Sequence, residues 1–239
     1  MTDLPAILSP HVTLDVRPDW ATHCRPGTFA PVGIVLHHTG GRNDLAIVVN
    51  GRPDLAGPLA NLYSDRDAPY TITLVSGGRC NHAGAGAQVV LDEARGDIAP
   101  CGDAIARGLV DGPVGNGYFY GIEAENLGNG QPWPPGQLEA ITHACAALCA
   151  HHGWTANRVI GHREWTRRKP DPAGFAMASM RTRIASLLHE EDEMAFTAAD
   201  SANLEAAKNY LVDQQRENEL LIQQGSRIIQ LLEQIAAKQ

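Results

Sequence analysis

Long apolar runs are missing from this chain of 239 residues. No stretch approaches the roughly 20 residues that cross a bilayer, so no membrane insertion is expected. The opening residues MTDLPAILSPHVTLDVRPDW contain neither a basic segment nor a continuous apolar core, so no signal peptide is expected. The protein is therefore expected to be made in the cytoplasm, unless something other than an ordinary signal releases it. Positive charge is also scarce: 19 Lys and Arg stand against 27 Asp and Glu, a formal net charge of -8. That balance argues against a protein held to nucleic acid by phosphate contacts. It gives no reason to expect attraction to an anionic membrane either.

Aromatic residues make up only 5%, and no CxxC pair occurs among the five cysteines. An odd count without such pairs fits reduced thiols rather than a disulfide framework. Cys145 and Cys149 share a helix face at i, i+4 in an Ala-rich run, which reads as buried small residues.

What remains is an ordinary globular composition, 44% hydrophobic and 19% charged, long enough for one substantial core and an appendage. Residues 1–30 read as irregular. VGIVLHHTGG (32–41) reads as a buried strand leading into a loop. A second strand lies in PYTITLVSGGRCNHAG (69–84), and residues 85–117 read as loop with one short helix. YFYGIEAEN (118–126) alternates as a strand. PPGQLEAITHACAALCAHHG (134–153) is a helix punctuated by Pro and Gly. RVIGHREW (158–165) is a short strand delivering His162 into a loop, and residues 172–190 form a closing helix. The fold class expected is α/β, a mixed central β-sheet flanked by helices.

This α/β unit spans 1–189. An acidic linker, 190–196, leads to a helical C-terminal segment, 197–239. There Leu204, Leu211, Leu221, Ile228, Leu232 and Ile235 form an apolar stripe interrupted by Gln214, Asn218 and Gly225. Polar seam positions weaken a coiled coil while fixing its register. Self-association as a homo-oligomer through this helix and a helix or hairpin folded back on the α/β unit both remain open.

One short loop, GHREWTRRKPDP (161–172), gathers His162, Lys169 and Asp171. His37 ends the first strand, where an α/β sheet commonly presents functional groups. Two imidazoles and a carboxylate are a ligand set for catalytic Zn2+, which keeps a position open for water. The remaining histidines, His11, His23, His143, His151, His152 and His189, have no such spacing.

IVLHHTGG, NHAGAG, GIEAEN and GHREWTRRKPDPAGF occur in the order seen in zinc-dependent N-acetylmuramoyl-L-alanine amidases. Over residues 30–188 the chain resembles that type-2 amidase family, related to the peptidoglycan recognition proteins, and looks closest to phage endolysin domains. The resemblance implies peptidoglycan as partner and His37, His162 and Asp171 as zinc ligands, with His37 chosen over His38. Some members carry Cys at the third ligand position; Asp171 here is like the intracellular recycling branch. Lys169 would stabilise the oxyanion, and Glu123 would be the base, ahead of Glu125 on the same strand face. Some relatives place a Tyr at the site, but the matching position here is near Ala60, which makes Tyr63 a poor substitute. His82 matches a position lining the substrate groove.

The implied reaction is cleavage of the amide between N-acetylmuramic acid and L-alanine, by an endolysin reaching the wall through a holin pore. A cytoplasmic recycling amidase for anhydromuropeptides and a non-catalytic peptidoglycan-binding module are the alternatives.

Overall fold

The structure, a computed structural model, describes residues 2–190 and, beyond them, 205, 208–209, 216 and 222–227. The chain divides into two compact units, Met1–His189 and Glu190–Gln239. In the first unit the strands are β1 (Thr13–Val16), β2 (Gly33–His38), β3 (Gly51–Arg52), β4 (Leu55–Ala56), β5 (Leu62–Ser64), β6 (Thr71–Leu74), β7 (Ala85–Ala87), β8 (Asp111–Val114), β9 (Phe119–Ala124) and β10 (Val159–Gly161). The helices are α1 (Leu4–Leu8), α2 (Leu45–Asn50), α3 (Gln88–Arg95), α4 (Pro135–His152) and α5 (His162–Trp165). A closing helix, α6, occupies 177–190.

Six strands form one mixed sheet in the order β1-β6-β5-β9-β2-β10, in which β5 and β6 are the antiparallel pair. Alternation along β2 divides the core. Ile34 and Leu36 face α4, together with Leu62, Ile72 and Ile122. Val35 packs on the opposite side with Phe119, Ile160, Trp165 and the apolar face of α3. A smaller cluster joins Val48 and Val49 of α2 to Ala60, Tyr63 and Val75. The sheet is thus flanked by helices on both faces, and its β2, β9 and β5 strands carry His37, Glu123 and Tyr63 in one row.

Helix α4 is buried nearly all round, as its small residues permit. Cys145 and Cys149 lie within it, fully buried. Burial raises both thiols, Cys149 to about 12. All five cysteines are free.

Several local expectations need correction. Residues 1–30 are not wholly irregular: Asp3 caps α1 by accepting from the Ala6 N–H, and β1 adds an edge strand beside β6. Segment 85–117 holds α3 between β7 and β8, a short antiparallel pair. Helix α2 escaped notice because six residues carry too little periodicity. The closing helix starts at 177 rather than 172. The preceding segment is held by other bonds: Arg163 N–H donates to the Asp171 carbonyl (2.7 Å), and Ala173 N–H to His38 Nδ1 (3.1 Å). Residue 190, the expected start of the linker, is still helical. Residues 191–196 and the apolar stripe Leu204, Leu211, Leu221, Ile228, Leu232 and Ile235 lie outside the described residues. Those described in the second unit are helical. Among the described residues no helix is long and apolar enough to cross a membrane.

Candidate metal centre

Three polar atoms converge where β2, β10 and the 166–172 loop meet. His37 Nδ1 lies 2.9 Å from His162 Nδ1 and 3.1 Å from Asp171 Oδ2, while the last two atoms are 3.0 Å apart. All three residues are buried, His37 to 2% exposure. No other group of three or more His, Cys, Asp or Glu side chains converges in this way among the described residues. His162 is not in a loop, as expected, but opens α5. Glu164 reaches back to the Gly161 N–H at 2.9 Å and ties that turn to β10. Arg181 of α6 then grips Glu164 through two bonds of 3.0 Å.

The protons in this group can be counted. His162 Nε2 faces the Ala83 carbonyl at 3.1 Å, an acceptor, so Nε2 carries a proton and donates it. His82 Nε2 faces the Phe119 carbonyl at 3.0 Å and donates likewise. Burial, then the neighbouring His37, lowers the His82 pKa well below its ordinary value, so the ring is neutral and its Nδ1 is a bare acceptor. That Nδ1 lies 3.0 Å from His37 Nε2, which must therefore donate. His37 is itself lowered to about 4, by burial and then by His162, and stays neutral. Its Nδ1 is consequently a bare lone pair. Burial opposes ionisation of Asp171, but its pKa lies well below the usual carboxylate range, the contact with the His162 ring being the largest favourable cause. Three ligating atoms thus converge, and two of them, His37 Nδ1 and Asp171 Oδ2, present lone pairs to one another. Mutually facing lone pairs repel unless a cation lies between them, and N, N, O is a donor set that zinc accepts.

His38 does not join the group, because its Nδ1 accepts from Ala173. His82 is brought in as a support, both of its ring nitrogens being engaged within the protein. Two residues that escaped sequence reasoning hold His82 in place. Asn116 Oδ1 accepts the N–H groups of His82, Ala83 and Gly84 (3.2, 2.9 and 2.9 Å), fixing the loop that presents the Ala83 carbonyl. Gly121 lies under the ring, where a Cβ would come within 2.6 Å of His82 Cγ. An isolated Asn and a strand Gly carry no pattern that would single them out.

The two candidate carboxylates, Glu123 in β9 and Glu125 just beyond it, differ sharply. Glu125 is 1% exposed, accepts the Tyr63 hydroxyl at 2.8 Å and has Arg42 Nε at 3.7 Å. Glu123 stands in register with His37, and its Oε2 has no partner among the described residues. Burial, then the charge of Asp171, pushes the Glu123 pKa up to about 8. Tyr63 is raised above its ordinary value by burial and by Glu125, so it is no readier acid. Lys169 is exposed and makes no ion pair among the described residues; it lines a surface cavity with Asp103, Ile105 and Arg163.

Residues 28–174 match the family model described as N-acetylmuramoyl-L-alanine amidase. The chain belongs to the N-acetylmuramoyl-L-alanine amidase family. Among solved structures, similar chains include the endolysin amidase LysCS from Clostridium intestinale URNW, at 18% identity and a TM-score of 0.48 over 72% of this chain and 95% of that one. AmpD, as its Se-Met derivative, gives 19% identity and a TM-score of 0.48 over 72% and 94%. AmiD from E. coli, solved with anhydro-N-acetylmuramic acid-L-Ala-D-gamma-Glu-L-Lys, gives 16% and 0.45 over 68% and 60%. No curated protein matches the chain in sequence.

Proposed function

We propose that this amidase is a zinc hydrolase that cuts the amide between the lactyl group of N-acetylmuramic acid and the L-alanine of the stem peptide. Family membership supports the peptidoglycan amidase activity. The observation that carries the metal is the convergence of His37 Nδ1, His162 Nδ1 and Asp171 Oδ2 within 3.1 Å of one another in a buried site. Zinc bound by these residues supplies Lewis acidity toward the scissile carbonyl and lowers the pKa of water toward 7.

The chain's own residues do the rest. In its ionised form Glu123, whose Oε2 has no partner among the described residues and lies in the His37 row, takes a proton from the attacking water and returns it to the leaving nitrogen. The water oxygen bonds to the carbonyl carbon, the C–N bond breaks, and the stem peptide leaves as a free amine. Lys169 brings an unpaired ammonium to the negative charge that develops on the carbonyl oxygen, a contact worth about 3–4 kcal/mol at the transition state. Half-buried His82 keeps His37 in the tautomer that leaves Nδ1 bare.

Within this activity we favour a lysin acting on assembled wall and released through a holin-type pore. Segment 97–114, which exposes Ile98, Ile105, Val110 and Val114 and lines a cavity with Lys169 through Ile105, supports it as a surface for an extended polymer. The third-ligand Asp171 and the carboxylate base favour a second reading, a recycling amidase for soluble anhydromuropeptides. Assay of amine release from intact sacculi and from soluble anhydromuropeptides decides: a lysin prefers sacculi, a recycling enzyme the soluble fragments. Catalytic unit 1–189 and C-terminal segment 197–239 are proposed as the working parts, the latter for self-association.

A further inference from the structure

The cavity in front of Glu123 contains a second buried carboxylate for which the chemistry above has no use. Asp44 is the N-cap residue of α2, where an Asp ordinarily accepts an N–H from the first turn and stabilises the helix. Its side chain makes no such bond. The carboxylate lies instead over Gly41, where a Cβ would come within 2.5 Å of Asp44 Oδ2. Asp44 is only 8% exposed, and its Oδ2 has no partner among the described residues. A buried acceptor left bare is costly unless a ligand supplies a donor.

Asp44 and Glu123 line the same cavity of about 230 Å3, walled on its apolar side by Ile47, Val48 and Leu59. Its one lining cation, Arg52, is engaged by Asp54 at 2.8 Å. The cavity therefore presents two bare carboxylate oxygens, Asp44 Oδ2 and Glu123 Oε2, and asks for a ligand with two N–H donors and small apolar groups. That is the chemistry of a short peptide backbone with small side chains. We infer that this cavity receives the first two residues of the stem peptide, and that Asp44 accepts the backbone N–H of the second residue while Glu123 serves the leaving nitrogen of the first. The inference rests on the proposed amidase reading and makes Asp44 a specificity-determining residue of that site.

The test is steady-state kinetics on an N-acetylmuramoyl tripeptide and on the same compound methylated at the second peptide nitrogen. Asp44→Ala is expected to raise KM about tenfold on the parent, as loss of a charge-assisted hydrogen bond does. Methylation is expected to cost the wild type a similar factor, and the two changes together no more than either alone. Asp44→Asn, which keeps an acceptor oxygen, is expected to raise KM less. Thermal unfolding of both variants controls for folding, and Asp44→Asn carries the test should Asp44→Ala not fold. Additive costs, or unchanged KM in both variants, overturn the inference and leave the amidase reading standing. Loss of bound zinc in Asp44→Asn also overturns it, since the carboxylate would then serve a metal. A wild type that cleaves neither compound overturns the amidase reading and this inference with it.

Discussion

His37 and Glu123 are register partners on adjacent parallel strands, β2 and β9, so a metal-ligand candidate and a carboxylate whose Oε2 has no partner among the described residues point from the same row of one sheet. The two side chains differ in what surrounds them. His37 is locked by His82 behind it, while Glu123 Oε2 is left bare. This division, one group held and one group free, underlies the predictions below.

Removing the support behind His37 should loosen the metal without touching a ligand. In His82→Ala nothing accepts the His37 Nε2–H, and the tautomer with Nδ1 bare loses its preference. Zinc affinity, measured by chelator competition, should fall about 10–100-fold. His82→Gln, whose amide oxygen can accept that proton, should recover part of the loss. Equal losses in the two variants would argue against the tautomer role.

Gly121→Ala should act through the same ring. Its Cβ would meet His82 Cγ at 2.6 Å, and the backbone there leaves the ring as the part that moves. A destabilisation of about 1–3 kcal/mol is expected from denaturant unfolding, with weaker zinc binding alongside. A variant as stable and as tightly metallated as the wild type would show that the ring has room.

Burial of Glu123 has a pH signature. Its folded pKa, pushed up to about 8, lies above the unfolded value near 4.5. The folded state therefore binds a proton more tightly, and this group's contribution to stability is fully present below pH 4.5 and lost as pH rises through about 8. Metal-free Glu123→Gln should show a flatter decline in melting temperature over that window and exceed the wild type above pH 8. Parallel curves for the two proteins would place Glu123 in a more solvated setting.

The Glu164–Arg181 pair carries α5, and with it His162. Arg181→Met leaves Glu164 buried without its partner, at a cost of about 3–5 kcal/mol. Replacing both, as Glu164→Gln with Arg181→Met, should cost less than Arg181→Met alone. A double-mutant cycle on unfolding free energies checks the sign.

How much of this could be read from residues alone differs from one part to the next. His37, Glu123, Lys169, His162 and Asp171 sit in short motifs around recognisable strands, and alternation placed Glu123 and Glu125 on one face. It could not separate them, because the Tyr63 hydroxyl and the Arg42 side chain that engage Glu125 come from segments far away in the chain. His82 was legible as a site residue but not as a support, since its partners are a carbonyl of β9 and a ring on β2. Short elements such as α1, α2 and β1 give too few turns or alternations to register, and tertiary packing fixes them.

Zinc content of the purified protein, measured together with release of free amino groups from purified peptidoglycan, tests the central claim most directly in wild type and Asp171→Ala. The expected result is one zinc per chain and steady amine release for the wild type, with both lost in the variant. Amine release that persists in Asp171→Ala, with no zinc in either protein, would contradict it.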